Sequence, residues 1–92
     1  MTRKDCLLAA RAEALFASHL SATRRPTAAE AVEAIRKTIR AHGGTRGCAA
    51  EVAAAYGEHP ELAARRMRWA LSSVEALFPT GRRRRDEQAV AA

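Results

Sequence analysis

The side chains that could bind a metal ion or act as a nucleophile are few and far apart in this sequence. Two cysteines and three histidines occur in the order Cys6, His19, His42, Cys48 and His59. No two of them have the close spacing of zinc ligands, such as Cys-x-x-Cys or a histidine pair on one helical turn. The GGTRG loop also lacks the glycine pattern of a phosphate-binding loop. The sequence therefore predicts no metal site, no cofactor and no enzyme.

Arginine is the most frequent residue type that could do chemistry here, and its chemistry is the binding of anions. Sixteen Lys and Arg residues stand against ten Asp and Glu residues, which gives a formal net charge of +6. Four consecutive arginines near the end supply much of this excess, since the other twelve basic residues leave a balance of only +2. Such a charge favours nucleic acid or an acidic surface as the partner, although the part expected to fold is only mildly basic.

Capping patterns and helix breakers predict the elements that must position these side chains. Thr2 with Asp5, and Thr27 with Glu30, have the spacing of capping boxes at helix starts. A Gly-Gly pair at 43–44 is a stop signal for the second of these helices.

Two further helices are predicted in the second half of the chain. Gly57 is expected to end the third helix in a left-handed conformation, Pro60 suits the first position of the fourth, and Pro79 ends it. With no alternating strand pattern, the sequence predicts an all-α, compact four-helix domain over residues 1–79 and a flexible Arg-rich tail over 80–92. The predicted helices cover about 3–19, 28–42, 47–56 and 60–78.

The apolar residues of three helices fall on stripes at helical spacing, which predicts a common core. Its expected members are Val32, Ile35, Ile39, Val52, Met67, Leu71 and Val74. Trp69 and Leu62 lie on the other side of the fourth helix, so that this helix is expected to be covered on two sides. Burial of Trp69 within the same chain is favoured, and burial by a second subunit is the alternative.

Residues 51–70 read E-V-A-A-A-Y-G-E-H-P-E-L-A-A-R-R-M-R-W-A. This segment resembles, without a gap, the helix-turn-helix of the promoter-reading C-terminal domain of bacterial sigma factors and of related response-regulator DNA-binding domains. A pattern of the type E-[IV]-A-x-x-[LF]-G-x-S-x-x-T-V-x-x-R-[LM]-x-x-A is common in those families. Ala53, Gly57 and Ala63 occupy the positions of the small residue at the helix crossing, the turn and the anchor. His59 departs from the usual Ser or Thr.

The resemblance implies that the fourth helix enters the major groove of double-stranded DNA. It places four side chains toward the bases, namely His59, Glu61, Ala64 and Arg65. It places Arg66, Arg68 and Arg46 near phosphates, and the tail adds non-specific phosphate contacts through Arg82, Arg83, Arg84 and Arg85. Arg65 would read guanine through paired hydrogen bonds. Glu58 and Glu61 count against this role, and the competing interpretation is a solvated face whose arginines are paired with Glu61 or Glu75.

The N-terminal apolar run CLLAA is too short for a signal peptide, and no segment approaches the length of a membrane span. The sequence therefore predicts a cytoplasmic protein with no membrane partner. The resemblance implies a small bacterial DNA-binding protein that regulates transcription, as a homodimer on a two-fold site. The alternative is an all-helical module that binds a protein partner through Leu62 and Trp69.

Overall fold

The computed structural model describes residues 2–79, and over that range all regular secondary structure is helical, with no strand. The predicted all-α fold of four helices is confirmed. No helix in the described part of the chain is both long enough and apolar enough to cross a membrane. The predicted tail, 80–92, lies outside the described residues. The helices are α1 (Arg3–Ala17), α2 (Ala28–Ala41), α3 (Thr45–Glu58) and α4 (Pro60–Leu77).

Both predicted capping boxes are present. The Thr2 hydroxyl accepts a hydrogen bond from the Asp5 amide at 3.2 Å, and the Asp5 carboxylate accepts one from the Thr2 amide at 3.2 Å. Thr27 and Glu30 make the same two hydrogen bonds at 3.2 and 3.0 Å. Each box satisfies two backbone N–H groups, which explains why α1 and α2 begin where the sequence predicts.

The corner between α2 and α3 depends on glycine. Gly43 and Gly44 have φ values of 73° and 120°, and the Gly44 amide donates to the Ile39 carbonyl at 2.8 Å. This confirms the predicted stop signal. After the corner, α3 passes so close to α2 that a Cβ at Gly47 would overlap the carbonyl oxygen of His42.

The corner between α3 and α4 is built differently, and the prediction for Gly57 is wrong. α3 continues through Gly57 to Glu58, and Gly57 is not among the described glycines with positive φ. His59 alone separates the two helices, with φ −142° and ψ 75°. The cause is Pro60, because a proline disfavours helical conformation in the residue before it. The break therefore falls immediately before the proline.

α1 is the central helix, since it packs against each of the other three, whereas α2 and α4 scarcely meet. Leu15 and Ala14 of α1 are fully buried, and Phe16 is 6% exposed. Ala12 lies on the same buried side, together with Val74 of α4. The core is therefore organised around α1, which the predicted core of the other three helices leaves out.

The predicted core is correct only in part. Val52 and Val74 are buried, whereas Ile35, Met67 and Leu71 are partly buried and pack against the core cluster. Ile39 is half-buried. The prediction for Val32 is wrong, because 42% of it is exposed. α2 faces the core with Ala31, Ala34 and Thr38, and these smaller side chains leave the neighbouring Val32 toward solvent.

Candidate functional site

The outer face of α4 carries polar side chains along its length. Its opposite side is fixed in the core by Ala63, Ala70 and Val74. Because helical neighbours on one face are three or four positions apart, the side chains directed away from the core form one row. The exposed members of that row are Glu61, Arg65, Arg68, Ser72 and Glu75.

A third arginine reaches this row from the linker between α1 and α2. The Arg25 guanidinium donates a hydrogen bond of 2.6 Å from Nη2 to the Ser72 hydroxyl. Ser72 lies one turn beyond Arg68, and Arg68 lies one turn beyond Arg65. We call these three arginines, Arg25, Arg65 and Arg68, the basic strip. Sequence reasoning missed Arg25, because no pattern in the linker predicts that it meets α4.

The basic strip is not neutralised by neighbouring carboxylates. The salt bridges found within residues 2–79 join Arg24 to Glu30 and Lys37 to Glu33. Neither Glu61 nor Glu75 forms one with Arg65 or Arg68, so the structure does not support the competing interpretation of a self-paired face. The three guanidinium groups are therefore available to an external anion.

The linker that carries Arg25 is held in place by its neighbour Arg24. The Arg24 guanidinium is 2.6 Å from the Glu30 carboxylate, and the Arg24 carbonyl accepts a hydrogen bond of 2.9 Å from Trp69 Nε1. Hydrogen bonds from Arg24, and then from the Thr27 amide, lower the pKa of Glu30 to about 2. Trp69 thus packs within its own chain, the favoured of the two alternatives, and it anchors the linker to α4.

Arg66 lies on the inner side of the helix, away from the basic strip. Its Nε donates to the Phe16 carbonyl at 2.7 Å, and its Nη2 donates to the carbonyls of Ser18 and Leu20 at 2.9 and 2.8 Å. The guanidinium also lies 4.8 Å from the centre of the Trp69 ring, and burial lowers the pKa of Arg66. Phe16 lies in the last turn of α1, where carbonyls lack helical partners, and Ser18 and Leu20 follow that helix, so Arg66 satisfies main-chain acceptors at and just beyond the end of α1. The expected phosphate contact of Arg66 is therefore not compatible with this position.

The start of α4, which the resemblance directs toward DNA, is exposed but acidic. His59, Glu61 and Arg65 are accessible, while Ala64 is half-buried. Glu58 precedes this end of the helix, so that two carboxylates lie at the end that the resemblance directs into the major groove, between the two phosphate backbones. Carboxylates repel phosphates, which makes this end a poor site for the DNA backbone.

Arg46 is the one predicted phosphate contact on α3, and the structure does not bring it to the start of α4. It is exposed in the first turn of α3. The start of α4 follows the last turn of α3, twelve residues and about 18 Å farther along the helix axis.

A shallow cleft separates α3 from the first half of α4. Its volume is about 260 Å³, and buried Phe16 lies at its base, with Ala55 and Ala63 on its walls. We call it the α3–α4 cleft. Ala53, predicted to be the small residue at the helix crossing, is exposed instead, and Ala55 packs against the core in its place. The helices therefore cross at a different position from the one that the resemblance implies.

The cysteines and histidines are not grouped into a metal-binding cluster in the described structure. Cys48 is fully buried, and burial raises the pKa of its thiol. Within residues 2–79, no three His, Cys, Asp or Glu side chains are grouped so that they could hold a metal ion. In comparisons with known proteins, no family model, no curated protein and no solved structure matches this chain.

Proposed function

We propose that this protein binds double-stranded DNA through the basic strip on the outer face of α4. The observation that carries the proposal is the alignment of Arg25, Arg65 and Arg68, all exposed and none paired with a carboxylate of residues 2–79. Positions 65, 68 and 72 are separated by about 4.5 and 6 Å along the helix axis. Each DNA strand carries one phosphate per about 3.4 Å of the DNA helix axis, so the three guanidinium groups can contact one short stretch of backbone.

The proposal assigns the DNA contact to a different part of α4 from the one that the resemblance implies. The resemblance to a helix-turn-helix implies contact through the start of the helix, where Glu58 and Glu61 are unfavourable. In the proposed arrangement, the middle of the outer face lies along the phosphates. Arg65 is the member of the strip nearest the start of α4, and it remains the candidate for reading a base in the major groove.

In its full form, the proposal is that this protein is a small bacterial regulator of transcription. As a homodimer, the protein would place two α4 faces on a DNA site with two-fold symmetry, and such a role belongs in the cytoplasm. The alternative, a protein partner bound through Leu62 and Trp69 together, has less support. Trp69 donates its N–H to Arg24 and is stacked by Arg66, so that it does not form an open surface with Leu62.

The test is a pair of triple variants that remove the same number of charges from different faces. The first changes Arg25, Arg65 and Arg68 to Gln. The control changes Arg36, Lys37 and Arg40 to Gln, three cations of α2 that lie away from the strip. Affinity for one duplex is measured by fluorescence anisotropy over a range of salt concentrations.

We expect the first variant to bind DNA far more weakly than the unchanged protein. The slope of log K against log salt should also fall by about 0.9 for each phosphate that the variant no longer neutralises. The control should retain affinity close to that of the unchanged protein. Equal weakening in both variants would mean that net charge alone causes binding, and the basic strip would have no special role.

Base reading by Arg65 has a separate test on a site chosen by selection from random DNA. Arg65→Ala should cost about 1–3 kcal/mol on the selected site and much less on a scrambled duplex. Arg68→Ala, one turn farther along the same face, is the matched control and should weaken both duplexes alike. If Arg65→Ala also weakens both equally, Arg65 contacts phosphate only.

A further inference from the structure

The α3–α4 cleft combines an apolar interior with an acidic rim. Phe16, Ala55 and Ala63 form the interior, and Leu62 stands at the edge with 61% of its surface exposed. Leu62 is the most exposed large apolar side chain in the described part of the chain. Covering a large apolar side chain in that position with another molecule is favourable, because its surface is removed from water.

The rim carries three carboxylates that form no ion pair in the described structure. Glu51 and Glu58 of α3 line the cleft, and Glu61 lines the adjoining depression at the start of α4. None of the three takes part in a salt bridge within residues 2–79. Arg66 also lines the cleft, but its guanidinium is hydrogen-bonded to the main-chain carbonyls of Phe16, Ser18 and Leu20. A group of like charges beside an apolar surface selects a partner of the opposite sign.

We propose that the α3–α4 cleft binds a basic peptide segment of a partner protein, in which an apolar side chain is flanked by Arg or Lys. The apolar side chain enters the cleft against Leu62 and Phe16, and the flanking cations pair with Glu51 and Glu58. DNA does not fit this surface, because its phosphates would meet the carboxylates. The protein thus has two faces of opposite charge, and this second site does not depend on DNA binding by the basic strip.

The test uses the full chain and a short fluorescein-labelled peptide with a central Leu flanked on both sides by Arg. Leu62→Ser is compared with Val32→Ser, since Val32 is the exposed apolar residue of α2, 42% exposed. The double variant Glu51→Gln with Glu58→Gln is compared with Glu33→Gln and Glu75→Gln, which remove two exposed carboxylates elsewhere. Each control position is matched in chemical type to a position in the cleft or at its edge.

We expect Leu62→Ser to weaken peptide binding about tenfold, the effect of removing one apolar side chain that the peptide buries. The double glutamine variant at Glu51 and Glu58 should weaken binding at low salt and flatten its salt dependence. Val32→Ser and the control pair of glutamines should leave the affinity unchanged, and a peptide with Ser in place of its central Leu should bind weakly to every form.

Three results would overturn the proposal. The first is that the peptide does not bind the unchanged protein. The second is that variants in the cleft and control variants weaken it equally. The third is that the peptide with Ser binds as tightly as the peptide with Leu, because the acidic rim would then attract any cation and the apolar interior would have no role. Circular dichroism of each variant checks that the helices are intact. None of these results depends on whether the protein binds DNA.

Discussion

The chain changes direction at both ends of α3, but different residues produce the two corners. Between α2 and α3, Gly43 and Gly44 adopt backbone angles that other residues avoid, and Gly47 packs against the carbonyl of His42. Between α3 and α4, Gly57 is an ordinary helical residue in open space, and the change of direction comes from Pro60.

The residues at the first corner are required by the fold, whereas the side chains around the second corner are available for binding. The first corner requires glycine, because Gly43 and Gly44 have positive φ and Gly47 lies too close to the His42 carbonyl to carry a side chain. The second needs only a proline, so the side chains around it, including Glu58, Glu61 and Leu62, are exposed and are not required by the turn. The side chains at the second corner can therefore serve binding without cost to the fold.

The largest expected effect breaks the first corner. Gly47→Ala places a Cβ where the His42 carbonyl oxygen already lies, and main-chain atoms on both sides leave little room to adjust. We expect the free energy of unfolding to fall by about 3 kcal/mol, at the upper end of the usual cost of overpacking. Urea denaturation followed by circular dichroism measures it. A decrease below about 0.5 kcal/mol, the size typical of an ordinary surface substitution, would show that α2 and α3 are farther apart than described.

A smaller effect is expected at the inner side of the second corner, where Arg66 joins α4 to the end of α1. Arg66→Lys keeps the charge but cannot reproduce three donor contacts from one planar fork. We expect the free energy of unfolding to fall by about 1.5–3 kcal/mol, the range for hydrogen bonds that involve a charged group.

Arg65→Lys is the matched control for this change, because Arg65 is the exposed neighbour on the outer face. It should stay within about 0.5 kcal/mol of the unchanged protein. Similar unfolding free energies for the two variants would indicate that the hydrogen bonds of Arg66 to α1 contribute little to stability.

The smallest expected effect has the opposite sign. Gly57→Ala adds a methyl group in open space within a helix, where Ala is more favourable than Gly by about 0.5–1 kcal/mol. The variant should therefore melt at a higher temperature. A clear decrease in stability would mean that Gly57 is left-handed, as the resemblance to a helix-turn-helix implies, and the described corner would be incorrect.

Local signals in the sequence predicted the helices well, because each is a property of a few neighbouring residues. The capping boxes at Thr2 and Thr27, and the Gly-Gly stop at 43–44, need no knowledge of the rest of the fold. At residues 57–60 two local signals competed. The glycine favours an end of α3 at residue 57, whereas the proline decides the break, since it restricts the residue before it whatever the surroundings.

Features that depend on how helices meet could not be predicted in the same way. Val32 continues an apolar stripe, but α2 approaches α1 through alanines, and this packing leaves Val32 outside. Arg66 is an arginine like the nearby Arg65 and Arg68, and its different role depends only on where the end of α1 lies. Arg25 joins the basic strip through Ser72, a contact over 47 positions in the sequence.

The most direct test of the proposed function is a titration of the ¹⁵N-labelled protein with duplex DNA, followed by NMR chemical shifts of backbone amides and arginine Nε–H groups. The proposal predicts that the changes concentrate at Arg25, Arg65 and Arg68, while Glu51, Glu58 and Leu62 around the α3–α4 cleft change little. Changes centred on the start of α4 or on α2, or no changes at moderate salt, would contradict the claim that the basic strip is the DNA-binding surface.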